Sequence, residues 1–81
     1  MNIYFMKTAK IRLSSIEAVR DFVEIVRKYD SEIDLASGRY VVDAKSIMGI
    51  FSLDLLQPIT LTAYSDDCEK LFDELKDYII E

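Results

Sequence analysis

Hydroxyl and carboxyl side chains are the groups from which this chain could build a reactive site, because it contains no histidine. That absence removes the commonest general base and the commonest nitrogen ligand for metals. Ser14 and Ser15 could act as nucleophiles only beside a base, and nothing in the sequence supports pairing them with Lys10. We therefore interpret Ser14 as the cap of a helix, with Glu17 completing a capping box, and we expect no catalytic residue.

A second group of candidates surrounds the single cysteine, where Asp66, Asp67 and Glu69 flank Cys68. With one cysteine and no histidine, the usual zinc sites are excluded. Acidic residues in the first turn of a helix are favoured by the helix dipole. We predict a helix capped by Ser65 or Asp66, a buried Cys68, and neither a metal site nor a cofactor.

The length and charge of the chain limit its class. Its 81 residues predict one domain over residues 1–81, and the net charge of −5 argues against nucleic acid or an anionic membrane as a partner. No apolar run approaches the roughly 20 residues that cross a bilayer. One cysteine cannot form an internal disulfide, so we expect a reducing, cytoplasmic setting.

Hydrophobic periodicity predicts seven elements in the order strand, helix, strand, strand, short helix, strand, helix. The segment 9–13 could continue the first strand or form a loop. The elements are a strand over 2–8, a helix over 14–30, a hairpin over 32–44 with its turn at Ser37-Gly38, a short helix within 46–56, a strand over 58–64 and a helix over 65–81. This order indicates an α+β sandwich, an antiparallel sheet with helices on one face.

The apolar positions of the three helices predict which faces are buried. In the short helix, Ile50 and Leu53 are expected to face the sheet and Met48 and Phe51 to face outward with Ile47. The expected core positions of the long helices are Ile16, Val19, Phe22, Val23 and Val26 in the first, and Cys68, Leu71, Phe72, Leu75 and Ile79 in the last. An apolar outward face on a short helix predicts a binding surface. The alternative is that another part of the chain covers it.

The stretch "VDAKSIMGIFSLDL", residues 42–55, closely resembles the regulatory segment of HPr, the histidine-containing phosphocarrier of the bacterial sugar phosphotransferase system. The similarity runs without gaps over about residues 13–56. It implies an HPr-like open-faced β-sandwich, with a four-stranded antiparallel sheet and three helices on one face (order βαββαβα).

The chain departs from that family where the family carries its phosphoryl group. Aligned on the resemblance, Ser15 occupies the position of the phosphocarrier histidine, Glu17 that of the neighbouring arginine, and Ala18 that of a proline. A carboxylate beside the phosphate seat would repel a phosphoryl group. The resemblance therefore implies a catalytically silent protein, similar to a regulatory paralogue in the family that also lacks the histidine.

The resemblance further implies regulation through Ser46, which in the family is phosphorylated by HPr kinase, after which the protein recruits a transcriptional regulator. Ile47, Met48 and Phe51 correspond to the family's docking patch. We therefore predict a regulatory protein-binding module that docks through the 46–53 helix and is switched at Ser46. Three alternatives stay open: Ser46 acts only as a helix cap, the chain is a phosphocarrier component with an atypical or lost phosphoacceptor, or it is an orphan structural domain.

Overall fold

The computed structural model describes residues 5–81, so the beginning of the strand predicted over 2–8 lies outside the described residues. The elements follow the predicted order, and the first strand extends through Ile11, so the segment 9–13 begins as strand. Their bounds are β1 Lys7–Ile11, α1 Ile16–Val26, β2 Glu32–Ser37, β3 Tyr40–Asp43, α2 Ile47–Phe51, β4 Ile59–Tyr64 and α3 Glu69–Glu74. None of the helices in this part of the chain has the length and apolarity needed to cross a membrane.

The four strands form one antiparallel sheet in the order β1-β4-β2-β3. The predicted hairpin is confirmed, with Ser37 opposite Tyr40 and Gly38 at a positive φ of 59° that favours glycine in the turn. Along β4, buried residues alternate with less buried ones, because one face of the sheet meets the helices and the other meets solvent. The α+β class and the order βαββαβα are therefore confirmed.

The core lies between this sheet and the helices. Its largest fully buried side chain is Phe22 on α1, which meets the ring of Tyr78 edge-on at a centroid distance of 5.7 Å. The other large, fully buried side chains come from both layers: Ile11, Leu13, Ile33, Leu35, Ile50, Ile59, Leu61, Leu75, Val19, Val23 and Val26. Cys68 is a buried free thiol, as predicted.

The start of α1 corrects the predicted cap. Ser15, in an extended conformation, is the N-cap, and its Oγ accepts a hydrogen bond from the backbone N–H of Ala18 at 3.0 Å. The predicted capping box of Ser14 and Glu17 is therefore wrong. With Ser15 as the N-cap, the third helical position is Ala18, whose side chain cannot accept a hydrogen bond from the N–H of the cap residue. α1 also ends at Val26, earlier than predicted, with Arg27 as its C-cap.

The last helix is shorter than predicted and starts later. Its N-cap position is Cys68, and the Ser65 hydroxyl instead accepts from the N–H of Asp67 in the preceding turn, so the predicted cap at Ser65 or Asp66 is wrong. After Glu74 the chain leaves the helix and runs beside β1. Ile80 N–H donates to Lys10 O at 2.8 Å there. Backbone hydrogen bonding to a sheet edge thus takes the place of the last helical turns.

Candidate functional site

The short helix α2 is positioned by a serine cap. Ser46 Oγ accepts a hydrogen bond from Gly49 N–H at 3.1 Å, and the Ser46 N–H donates to Asp43 O at 3.0 Å. The Asp43 carboxylate accepts from Lys45 N–H at 2.8 Å. These bonds hold the turn between β3 and α2, so the cap role predicted for Ser46 is present in the structure.

The end of α1 is tied to the head of α2. The guanidinium of Arg27 donates to the Lys45 carbonyl through Nε at 3.2 Å and Nη2 at 3.0 Å. Lys45 Nζ donates in return to the Tyr29 carbonyl. At Gly49 an added Cβ would lie 3.1 Å from Ser46 Oγ and 3.2 Å from Val42 Cβ, so glycine allows α2 to lie close to its own cap and to β3.

The two faces of α2 differ sharply in exposure. Ile50 is 0 % and Leu53 is 7 % exposed, so both face the core as expected. Met48 is 77 % and Phe51 is 41 % exposed. Ile47 differs from the expectation, because it is half-buried and packs against the core cluster. We call these three residues, Ile47, Met48 and Phe51, the α2 patch.

The α2 patch continues into a groove between the start of α1 and the segment after α2. The α1–α2 groove has a volume of about 380 Å³ and is lined by Arg12, Leu13, Ser14, Ser15, Ile16, Phe51, Leu55 and Leu56. Ile16 is 57 % and Leu56 is 85 % exposed. The prediction that Ile16 belongs to the core of α1 is therefore wrong, and it joins the apolar surface together with Leu56, which the sequence reasoning missed.

Helical phase did not single out Ile16. At about 100° per residue it lies roughly 20° from Val23 and 60° from Val19, both of which are buried, so the exposure of Ile16 reflects its place at the first position of α1. Leu56 carried no periodic signal, because it lies in an irregular segment that the fold brings beside Phe51.

Ser15 and Glu17 both lie at the start of α1. The Ser15 hydroxyl is engaged as the cap, and Glu17 is an exposed carboxylate in the first turn. A serine hydroxyl becomes an effective nucleophile only beside a general base. Within residues 5–81, no group of three histidine, cysteine or acidic side chains is arranged to hold a metal ion.

Three further titratable groups have structural roles. Burial raises the pKa of the Cys68 thiol, which keeps it protonated and unreactive. Glu74 accepts hydrogen bonds from Lys28 and from the Tyr29 hydroxyl, which lower the pKa of this carboxyl. The bond to Glu74 is the main cause that raises the pKa of Tyr29 to about 12. This cluster joins the residues that follow α1 to α3.

Comparison with known proteins gives the same assignment as the fold. The family model described as "PTS HPr component phosphorylation site" matches residues 15–81. HPr-C-His from Thermoanaerobacter tengcongensis has a similar crystal structure, with 33 % identity, a TM-score of 0.70 and coverage of 89 % of this chain and 86 % of that one. A phosphocarrier protein HPr from Bacillus anthracis str. Ames gives 26 % identity and a TM-score of 0.70, over 91 % of this chain and 96 % of the other. No curated protein matches the sequence.

The fold is a small antiparallel sheet covered on one face by three helices, and an apolar patch lies beside the start of the first helix. These features define an α+β protein with an exposed apolar surface. The family match covers most of the chain, and the chain belongs to the HPr family of the phosphotransferase system. Phosphocarrier proteins of this family are not enzymes themselves and interact with other proteins of that system. Protein partners are therefore the class of ligand to seek.

Proposed function

We propose that this HPr-family chain is a regulatory protein-binding module that does not carry phosphate between enzymes. It docks other proteins through the α2 patch and is switched by phosphorylation of Ser46. The observation that carries the proposal is the exposed apolar surface of Met48 and Phe51. It lies beside the start of α1, where the cap is a serine and the chain contains no histidine. HPr kinase and a transcriptional regulator are the proposed partners, and the cytoplasm is the proposed setting.

The start of α1 supports the loss of the phosphocarrier role. A bound phosphoryl group needs free backbone N–H donors at the helix N-terminus, and Ser15 already occupies that of Ala18. Glu17 adds a negative charge in the same turn, where it would repel an incoming phosphate. A serine phosphate ester is also less reactive than a phosphoimidazole, so Ser15 would not pass phosphate onward.

The position of Ser46 supports the switch. Its side chain is partly exposed and immediately precedes the α2 patch, so a phosphate there would add about −1.5 to −2 charge next to the docking residues. Such a charge changes which partners the apolar patch accepts. Ser46 needs no rearrangement of the core to be modified, because it caps α2 from the surface side.

Incubation with HPr kinase and ATP, followed by mass spectrometry, tests the switch. We expect one phosphate on the wild-type chain, none on Ser46→Ala, and one on Ser52→Ala, which removes the exposed serine at the other end of α2. A chain that takes no phosphate, or takes it elsewhere, would contradict the proposal.

The same reaction tests the docking role. Phe51→Ala is expected to slow phosphorylation because the kinase loses its apolar contact, whereas Val41→Ala, at a more exposed apolar residue on β3, leaves the rate unchanged. Equal rates for both variants would remove the α2 patch from the proposal.

A third experiment separates this function from phosphate transfer. Enzyme I and labelled phosphoenolpyruvate are expected to leave the chain unlabelled while labelling a histidine-containing HPr in the same tube. Label on the chain would show an atypical phosphoacceptor and end the claim of a silent protein.

A further inference from the structure

One edge of the sheet is partly covered by the chain itself, whereas the other is open. The C-terminal segment runs beside β1 and bonds to it, with Ile80 N–H donating to Lys10 O at 2.8 Å. β3 is the strand at the other edge, and among residues 5–81 no further strand pairs with its outer side. Two large side chains on β3 are exposed, Tyr40 at 72 % and Val41 at 63 %. An open edge with exposed apolar side chains is a template for pairing with another strand.

The backbone of β3 alternates between bonding to β2 and facing the open edge. Ala44 N–H donates to Ile33 O at 2.9 Å, which makes these two residues a hydrogen-bonded pair of the antiparallel ladder. Such pairs recur at every second residue, so Val42 and Tyr40 also bond to β2. Val41 lies between them and turns its N–H and its carbonyl outward. The middle of the open edge therefore presents one donor and one acceptor.

Opposite charges lie at equal distances from Val41 along the chain. Arg39 precedes it by two residues and Asp43 follows it by two, and both side chains are exposed. The ion pair present among residues 5–81 joins Lys28 to Glu74, so neither Arg39 nor Asp43 has an ionic partner there. When two strands pair antiparallel about Val41, this spacing brings the positive end of each strand to the negative end of the other.

The surroundings of Asp43 favour a cation from outside the chain. Its direct neighbour across the ladder is Asp34 on β2, and like charges directly opposite each other destabilise a sheet. One oxygen of Asp43 accepts from Lys45 N–H at 2.8 Å, which leaves the second oxygen available to a partner. A guanidinium beside Asp43 would offset the repulsion from Asp34 and bond to that oxygen.

We infer that the occupant of the β3 edge is a second copy of this chain, paired antiparallel about a two-fold axis at Val41. In this register Val41 of each copy donates to and accepts from Val41 of the other, as in any hydrogen-bonded pair of an antiparallel ladder. Arg39 of one copy lies opposite Asp43 of the other, twice by symmetry. Tyr40 lies opposite Val42, so the exposed ring gains an apolar neighbour. The inference is separate from the proposed docking function, which uses α2.

Dilution of the isotope-labelled chain, followed by NMR, tests the pairing. A four-residue edge makes a small interface, so we expect a dissociation constant on the order of 1 mM, measured between roughly 0.05 and 2 mM. The amides of Val41 and Asp43 should shift with concentration, and the Val41 methyl groups of labelled and unlabelled copies should be in contact. A chain whose β3 amides do not shift, or which associates through another surface, would overturn the inference. The kinase reaction runs at micromolar protein, where the pairing is absent, so Val41→Ala remains its control.

Charge exchange tests the register. Arg39→Asp and Asp43→Arg each place two pairs of like charges across the two-fold axis, and each is expected to weaken self-association about fivefold or more. The double variant exchanges the two charges, keeps the net charge of −5 and is expected to regain the wild-type affinity. A folded double variant as weak as the single ones would overturn the inference. Asp43→Arg brings the net charge closer to zero, so stronger association of this variant would show that net charge governs and would overturn it too.

Discussion

Serine hydroxyls fix the starts of the two helices that frame the candidate site. Ser15 caps α1 through the N–H of Ala18, and Ser46 caps α2 through that of Gly49. Each serine therefore has a structural role at the position where the family resemblance implies a functional one. At Ser15 the cap consumes a donor that a phosphate would need, whereas at Ser46 capping and modification are compatible.

Removal of the α1 cap gives a prediction at the residue scale. Ser15→Ala is expected to lower the free energy of unfolding by about 1 kcal/mol, because the N–H of Ala18 loses its partner. Ser14→Ala is the matched control, since Ser14 is exposed and does not cap the helix, and its effect should stay below about 0.5 kcal/mol. Urea denaturation measures both. A larger loss for Ser14→Ala would restore the cap that the sequence predicts.

At the scale of elements, α2 is a five-residue helix held from several sides. Its cap, the arginine bonds to its head and the burial of Ile50 keep it in place, since a helix this short is not stable by itself. This anchorage is what allows Met48 and Phe51 to remain on the surface. The residues that follow α1 are held in turn to α3 through Glu74, so the elements around the candidate site are connected.

The two faces of α2 predict opposite effects of truncation. Ile50→Ala is expected to cost about 2–5 kcal/mol of stability, because it leaves a cavity in the core. Met48→Ala should change stability by less than about 0.5 kcal/mol, because this side chain is largely in solvent. Thermal or urea unfolding distinguishes them. A comparable loss at Met48 would mean that the α2 patch stabilises the fold.

The cluster between α1 and α3 predicts a pH dependence. The lowered pKa of Glu74 means that the ionised carboxylate is favoured in the folded chain. The stabilisation that the Glu74 carboxylate contributes is fully present above the ordinary carboxyl pKa of about 4.3. It is lost as the pH falls through the lower pKa that Glu74 has in the folded chain. Glu74→Gln is therefore expected to flatten the loss of stability in acid.

The same variant reports on Tyr29. Its pKa of about 12 should fall toward the usual value of about 10 in Glu74→Gln, because the hydrogen bond to a carboxylate is lost. NMR of the ring carbons as a function of pH follows Tyr29 directly, with Tyr40 as an exposed control. An unchanged Tyr29 titration would show that burial, not Glu74, dominates the shift.

At the scale of the whole molecule, the C-terminal segment completes the sheet. Arg12 N–H donates to Tyr78 O at 2.9 Å and Ile80 N–H to Lys10 O at 2.8 Å, so the segment covers part of the exposed edge of β1. Tyr78 meanwhile packs its ring against the buried Phe22. These bonds join the C-terminal segment to β1. They also shorten the edge of the sheet that could pair with a strand of another chain.

Proline at residue 80 tests this pairing. Ile80→Pro removes the N–H that bonds to Lys10 O, and about 1 kcal/mol of stability should be lost with it. Ile80→Ala keeps the N–H and removes only a half-exposed side chain, so it serves as the control. Hydrogen exchange of the Lys10 amide, which bonds to Glu81 O, should accelerate in the proline variant alone. Equal exchange in both variants would show that the segment does not protect the edge.

The sequence by itself determined the class, the order of elements and the faces of the strongly periodic ones, because burial imposes a period of 2 on strands and 3.6 on helices. It also determined that no histidine is present to carry phosphate, and it contained the "AKSIMG" segment that links the chain to its family. The hairpin at Gly38 and the inward faces of Ile50 and Leu53 were predictable for the same local reasons.

Only the tertiary structure decided which serine caps α1, where α3 ends, and that Ile16 and Leu56 share a groove with Phe51. The end of α3 and the groove depend on contacts between residues distant in the chain, whereas the cap is a local bond from Ala18 to one of two adjacent serines. The last residues satisfy their backbone groups on β1 instead of in a helix, and Arg27 is bonded to the Lys45 carbonyl at the head of α2. Local pattern fixes which side chains can be buried, whereas packing of distant segments fixes which of the remaining ones form a common surface.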